Sequence, residues 1–159
     1  MEKQEEHFAD CWRKQKEVQS WFSPCKGIQS KYVKIIELGK ALPPLPLEAR
    51  RPENAVSGCQ STLYLANSFC DNLIWFAAES DALISSGLAA LLIAVYSGEL
   101  PEVVLQCPPT YLEELQIGAS LTASRANGLY SIHLRMKQDA LKRLINPLGR
   151  LDKREGFHG

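Results

Sequence analysis

The chain has 159 residues, of which 45% are hydrophobic and 23% are charged, and its 18 basic side chains equal its 18 acidic ones. This length and composition are those of one globular domain with a single hydrophobic core. The neutral balance gives no reason to expect a nucleic acid or an anionic membrane surface as the partner.

Neither the N-terminal segment nor the longest apolar run indicates export or a membrane anchor. Residues 1–6, MEKQEE, are charged and no apolar segment follows them, so we expect no secretory signal. The longest apolar run, Leu88 to Tyr96, is about half of the roughly 20 residues that span a bilayer, which predicts a buried helix. Five cysteines without tight clustering fit the reducing cytoplasm. The sequence contains no CxxC motif and no zinc-finger spacing, so it predicts no local metal site.

The first third of the chain predicts two helices and a connector. Residues 5–22 are polar and helix-permissive, and Ser23-Pro24 interrupts them. After Gly27, apolar side chains recur at steps of three and four and predict an amphipathic helix that ends at Gly39 or Lys40; they are Ile28, Tyr32, Ile35, Ile36 and Leu38. The following segment, ALPPLPL at 41–47, cannot be helical because each proline lacks an N–H group.

A hairpin and a long helix are predicted next. Residues 61–66 alternate in polarity as a half-buried strand does, Asp71-Asn72 supplies a turn, and 73–78 reads as the returning strand. Ser80 is a candidate N-cap for a helix from Asp81 to Tyr96. Gly87 inside that helix costs about 1 kcal/mol relative to alanine, so we expect another backbone to pack closely against it.

The last third predicts short helical connectors and one long helix. Pro101 opens a short piece, Pro108-Pro109 ends it, and 111–115 forms another. The long helix runs from Ser124 to Asn146 with Pro147 as its terminator, and its apolar face comprises Leu129, Ile132, Met136, Ala140 and Leu144. Helices, then a hairpin, then helices predict an α+β domain, with a small antiparallel β-sheet and the helices packed mainly on one face.

Cys59 is the clearest candidate for a chemically reactive residue. It lies in a short segment, AVSGCQS, between the proline connector and the first strand, and so at a turn at the edge of the sheet. Gly58 removes bulk beside the sulfur, and Gln60 and Ser61 offer donors for a thiolate or for the outer sulfur of a persulfide. The alternative is a cysteine used only for packing.

Three spaced motifs in this sequence resemble the SufE family, which accepts sulfur from cysteine desulfurases in iron-sulfur cluster assembly. They are RRPENAVSGCQS at 50–61, ESDALI with Gly87-Leu88 at 79–88, and LTASRANG at 121–128. The resemblance also takes in Tyr32 to Leu38 and covers roughly 18–144. The departures, Leu63-Tyr64 in place of an aliphatic-tryptophan pair and Ala123 in place of a frequent proline, lie beside these motifs.

The resemblance implies a fold shared with the scaffold proteins of cluster assembly, and a role for Cys59 as the acceptor of persulfide sulfur. It implies that Asp81 and Arg125 lie near the docking surface or the active loop, and that Arg50 supports that loop. The implied partners are a SufS-like cysteine desulfurase, which the chain would stimulate rather than act as an enzyme alone, and a downstream SufBCD-like scaffold. The chain would need no cofactor, since pyridoxal phosphate belongs to the desulfurase.

The resemblance also divides the chain into an N-terminal extension at 1–14, a SufE-like domain at 15–148 and a flexible C-terminal tail at 149–159. The thiol must be activated for sulfur transfer, because a free cysteine is only a few per cent ionised at neutral pH. The sequence does not decide the source of that activation, which could be Arg50, Arg51, Arg125 or the desulfurase itself. Whether the chain forms a homodimer is also left open.

Two other functions compete with sulfur transfer. One is a scaffold that binds a metal or an iron-sulfur cluster, with Cys59, Cys70 and Cys107 as ligands. The other is a cysteine hydrolase that uses Cys59 and His133, although His133 on an apolar helix face is more simply a satisfied core histidine. The four cysteines other than Cys59 are most simply small buried or half-buried hydrophobic residues; they are Cys11, Cys25, Cys70 and Cys107.

Overall fold

A computed structural model describes the backbone of residues 2–146 and the side chains of 7–146. The described residues form six α-helices and one two-stranded antiparallel sheet. The helices are α1 Glu2–Phe22, α2 Ile28–Lys40, α3 Leu83–Tyr96, α4 Pro101–Gln106, α5 Thr110–Glu114 and α6 Ala123–Ile145, and the strands are β1 Leu63–Cys70 and β2 Leu73–Ser80. The predicted terminator Pro147 and the predicted tail at 149–159 lie outside the described residues.

The hairpin has the predicted turn but longer strands than predicted. Asp71 and Asn72 have φ angles of 54° and 66°, the left-handed conformation that a two-residue hairpin turn requires and that Asp and Asn tolerate. Pairing extends from Leu63 opposite Ser80 to Cys70 opposite Leu73. The strand predicted at 61–66 therefore starts and ends later, because the ladder continues through polar residues that break the alternation of the sequence.

The two faces of the hairpin are covered differently. One face places Leu65, Ile74 and Phe76 in the main core, each at most 1% exposed. The other face is covered by the proline connector and the residues that follow it, where Leu45 and Ala49 pack on Ala66 of the sheet in a small separate cluster. The helices thus lie mainly on one face of the sheet, and the α+β prediction is confirmed.

Helix α3 begins two residues later than predicted. Its N-cap is Ala82, whose side chain cannot cap, and Ser80 is instead the last residue of β2. The Ser80 hydroxyl donates to the carbonyl of Thr62 at 2.7 Å and accepts from the backbone N–H of Ala82 at 3.2 Å. The prediction of Ser80 as the N-cap is wrong because the hairpin ladder claims this residue, and Asp81 consequently lies before the helix.

Helices α2 and α3 cross at a pair of glycines. A Cβ at Gly87 would lie 2.6 Å from Cγ2 of Ile35, and one at Gly39 would lie 2.5 Å from the backbone nitrogen of Gly87. The expected close approach at Gly87 is therefore confirmed. Gly39 is a packing residue rather than the helix end, which falls at Lys40, and Ile28 from the predicted apolar stripe is 61% exposed.

Helix α6 has the predicted apolar face except in its last turn. Leu144 is 45% exposed, and Arg143, only 8% exposed, faces the protein instead. The Arg143 guanidinium donates to Oδ1 of Asn67 at 2.8 Å and lies over the ring of Phe69. An arginine replaces the expected leucine here because the hairpin presents a polar acceptor and an aromatic face.

Helix α1 runs without a break through the segment that was expected to be an N-terminal extension. Phe8 and Cys11 are 7% and 0% exposed and belong to the main core. Gln15, one turn later, donates to the carbonyl of Pro108 at 2.9 Å. Of the helices in the described range, none is both long and apolar enough to cross a bilayer.

Candidate functional site at Cys59

The Cys59 loop is a short segment between two positions at which the backbone pairs with itself. The backbone N–H of Val56 donates to the carbonyl of Leu63 at 2.9 Å, and Ala55 forms an isolated antiparallel bridge with Tyr64. These pairings close the base of a loop that consists of residues 57–62. The loop is thus held at its ends by the hairpin, and Cys59 lies near its middle.

Gly58 makes the sharp bend that turns Cys59 inward. Its φ is +90°, a conformation that side chains other than glycine rarely adopt. A Cβ at this position would also lie 3.2 Å from Cβ of Ser131 on α6 and still closer to the Ser131 hydroxyl. The loop therefore crosses α6 at a distance that only glycine allows.

Cys59 is half-buried and lines a cavity of about 150 Å³. The walls come from three elements that are far apart in sequence: the loop itself, the start of α3 and the first three turns of α6. The cavity is lined by Cys59, Gln60, Ser61, Ala82, Ser85, Leu88, Ser124, Arg125, Gly128 and Ile132. It is large enough to hold more than one atom beyond the thiol, since a water molecule occupies about 30 Å³ in the liquid.

The cavity wall is polar on two sides. The hydroxyls of Ser61 and Ser85 form a hydrogen bond of 2.7 Å that joins the loop to α3. On α6, Nη1 of Arg125 is buried and has no hydrogen-bond partner among the described residues. A buried guanidinium N–H without an acceptor is rare and costly, and this one belongs to a residue that lines the Cys59 cavity.

Burial raises the pKa of the Cys59 thiol above its ordinary value. The low-polarity surroundings disfavour the charged thiolate. In this conformation Cys59 is therefore almost entirely protonated at neutral pH. The folded chain shelters the thiol rather than activating it.

The structure brings together some of the predicted site residues and separates others. Gln60, Ser61 and Arg125 share the cavity with Cys59. Arg50 does not line it, and instead pairs with the Glu79 carboxylate at 2.7 Å, where it holds the connector to β2. Asp81 is exposed and immediately precedes Ala82 of the cavity wall.

Sequence reasoning did not single out Ser85, nor Arg135 and Asp139 of α6. Arg135 donates to the backbone carbonyls of Glu53 at 2.6 Å and Ala55 at 3.3 Å, and thereby fixes the segment that leads into the loop. Asp139, 4% exposed, accepts from Arg135 at 3.1 Å and orients it. In sequence this pair is an ordinary i,i+4 ion pair, which gives no signal of a role at another element.

The other cysteines are not gathered around Cys59. Cys11 and Cys107 are buried beside Gln15, whose amide lies 3.7 Å from both sulfurs, and Cys70 ends β1 at the hairpin turn. Within residues 7–146, no three His, Cys, Asp or Glu side chains are placed to share a metal ion. The proposed ligand set of Cys59, Cys70 and Cys107 is thus not assembled in the described part of the chain.

His133 is not placed to act on Cys59. Its ring stacks on Tyr96 with centroids 5.3 Å apart, and it does not line the cavity. Its Nε2 is buried without a hydrogen-bond partner among the described residues, so the prediction of a satisfied core histidine is wrong. Burial, with a smaller effect of Lys137, lowers the pKa of His133 to about 4.

Comparison with known proteins agrees with this architecture. A family model described as "SufE: Fe-S metabolism associated domain" matches residues 16–140. A solution structure of a hypothetical protein from Thermus thermophilus matches with a TM-score of 0.68 and 23% sequence identity, over 83% of this chain and 96% of that one. At this identity the structural likeness concerns the fold, whereas the family match includes the Cys59 loop and the cavity.

Proposed function

Because this chain belongs to the SufE family and is associated with Fe-S metabolism, we propose that it accepts persulfide sulfur from a cysteine desulfurase onto Cys59 and passes it on for cluster assembly. The observation that carries the proposal is the position of Cys59: it lies on a bent loop that backbone pairing closes at its base, and beside it is a cavity of about 150 Å³. A cysteine buried for packing would leave no such space around the sulfur.

The transfer step is a thiol exchange in which all atoms are conserved. The Cys59 thiolate attacks the outer sulfur of the desulfurase persulfide, and the bond between the two donor sulfurs breaks. The electron pair of that bond leaves with the inner sulfur, which becomes the donor's thiolate. The outer sulfur, with its proton, is then bonded to Cys59 as a new persulfide. A second attack of the same kind, by a thiolate of the downstream acceptor, passes the sulfur on.

The sheltered thiol requires the loop to move before transfer. The described side chains hold the loop at few points, chiefly the hydroxyl pair of Ser61 and Ser85. Breaking one such hydrogen bond costs about 1 kcal/mol, which docking of a partner readily offsets. Outside the cavity the thiol regains water or the partner's charges, either of which lowers its pKa toward a reactive value.

The same exchange accounts for stimulation of the desulfurase. Once its sulfur has been removed, the donor cysteine is free for another turnover, so the desulfurase runs faster in the presence of this chain. The cofactor, pyridoxal phosphate, belongs to that SufS-like partner, and the sulfur goes to a SufBCD-like scaffold. We place the reaction in the cytoplasm, where unpaired cysteines are stable.

Intact-mass spectrometry tests this function directly. After incubation with a desulfurase and L-cysteine, we expect the chain to gain the mass of one sulfur atom, which peptide mapping places on Cys59. Cys59→Ser should abolish both this gain and the stimulation of the desulfurase. The matched control is Cys70→Ser, which removes another half-buried thiol and should retain both. Stimulation by Cys59→Ser equal to that of the unaltered chain would refute the proposal.

A further inference from the structure

Arg125, a partly exposed residue, has a buried N–H group that lacks an acceptor among the described residues in the thiol form of the protein. Its Nη1 is fully shielded from solvent, and no acceptor among the described residues pairs with it. The hydroxyls of the cavity wall have other partners: Ser61 pairs with Ser85, and Ser124 lies 3.4 Å from the Thr122 hydroxyl. An unpaired buried donor of a cation costs the molecule its full desolvation penalty, so the site is unsatisfied as it stands.

The cavity has room for a group that would satisfy this donor. Cys59 and Arg125 line the same space of about 150 Å³, one from the loop and the other from α6. Burial raises the pKa of the Cys59 thiol, so the empty chain presents a neutral sulfur to this cavity at neutral pH. A second sulfur bonded to Cys59 would extend about 2 Å further, the length of an S–S bond.

From these observations we infer that the outer sulfur of the Cys59 persulfide occupies this cavity as an anion and pairs with Arg125, so that loading with sulfur holds the loop closed. This inference rests on the proposed function. A persulfide is a stronger acid than the corresponding thiol, because the second sulfur spreads the negative charge. The loaded chain therefore presents an anion to Arg125 at neutral pH, whereas the empty chain presents a neutral thiol.

The consequence is that one arginine distinguishes the loaded state from the empty state. In the empty state nothing charged holds the loop, which is free to extend toward a desulfurase. In the loaded state a charge-assisted hydrogen bond opposes opening and shields the sulfur from adventitious thiols. A ligand shifts such an equilibrium only through a difference in affinity between the two conformations, and the pairing with Arg125 supplies that difference.

Alkylation kinetics test the inference without a desulfurase. The background variant is Cys25→Ser/Cys70→Ser, which leaves Cys59 as the one cysteine that is not fully buried, since Cys11 and Cys107 are 0% and 2% exposed. Inorganic polysulfide loads Cys59, and the rate of reaction with iodoacetamide is followed by mass spectrometry for the persulfide and, separately, for the thiol. Because alkylation requires the open loop, each rate reports the open fraction.

Arg125→Gln should raise the alkylation rate of the persulfide about tenfold and change that of the thiol less than twofold. Arg125→Lys keeps the charge and should restore most of the protection. If the glutamine variant does not fold, Arg125→Met, which also lacks the charge, takes its place. The matched control is Arg13→Gln on the exposed side of α1, which should behave as the background does.

Equal acceleration of both rates by Arg125→Gln would show a merely structural role and overturn the inference, as would no acceleration of either. A lysine variant no better protected than the glutamine variant would exclude charge as the cause and would also overturn it. The proposed function fails in a different way: polysulfide would load Cys59 while a desulfurase with L-cysteine would not.

Discussion

Gly58 combines two requirements that no other residue meets. Its φ of +90° costs an L-residue about 1–2 kcal/mol, and a Cβ there would overlap the side chain of Ser131. We expect Gly58→Ala to lower the free energy of unfolding by about 2 kcal/mol and to raise the rate of thiol labelling at Cys59, because the displaced loop no longer seats the thiol. Urea denaturation and labelling with a chromogenic disulfide measure the two effects.

A second-site variant separates the two causes. Ser131→Ala removes the hydroxyl that a Cβ at position 58 would meet, but leaves the backbone angle unchanged. Gly58→Ala/Ser131→Ala should therefore recover about half of the lost stability, with Ser131→Ala alone as the control. No recovery would mean that the backbone angle alone demands glycine.

At the scale of residues, the sequence identifies the chemistry of the site better than its walls. Cys59 follows from its local setting, and Arg125 follows only from the family resemblance. Ser85 and Arg135 carry no such signal, because each acts on an element distant in the chain. Arg50 lies in the same motif as Cys59, but its guanidinium pairs with the Glu79 carboxylate on β2 and it does not line the cavity.

The glycine crossing of α2 and α3 is the tightest contact between elements. Gly87→Ala should lower the free energy of unfolding by about 1–3 kcal/mol, because the gain in helix propensity is outweighed by overlap with the backbone of α2. The matched control is Gly128→Ala, also inside a helix, where a Cβ would meet nothing within 4 Å. That variant should be neutral or more stable by up to about 1 kcal/mol. Thermal and urea unfolding provide the comparison, and equal losses in both variants would contradict close packing as the cause.

Elements whose bounds are set by residues within a few positions in sequence were predictable. Elements whose bounds are set by tertiary contacts were not. The Asp71-Asn72 turn and the proline at the start of α4 are specified by backbone chemistry within a few residues. The start of α3 is not, because Ser80 suits a helix cap and a strand end equally until the ladder with Leu63 decides between them. The last turn of α6 likewise depends on what the hairpin presents to it.

Two buried titratable groups give the whole molecule opposing responses to pH. Lys14 on α1 pairs with Glu99 at 2.6 Å, and burial raises the pKa of Glu99 to about 7, with a further contribution from its hydrogen bond to Asp10. His133 on α6 has its pKa lowered to about 4 by burial and, to a smaller extent, by Lys137. The stability contributed by Glu99 is complete below pH 4.5 and is lost as the pH rises through 7. The stability contributed by His133 is complete above pH 6.5 and is lost as the pH falls through 4.

Between pH 4.5 and 6.5 these two responses oppose each other, so removing either one should expose the other. Relative to the unaltered chain, Glu99→Gln should make the free energy of unfolding increase more steeply with pH, and His133→Phe, which keeps a ring against Tyr96, should make it increase less steeply. Each change is at most about 1.4 kcal/mol per pH unit, the limit for one proton. Urea denaturation at half-unit pH steps measures the slopes, and comparison with the unaltered chain cancels the contribution of the other carboxylates.

The double variant should return close to the original slope, because the two losses have opposite signs. Slopes that shift in the same direction in both single variants would show that at least one of these groups titrates at its ordinary pKa in the folded chain.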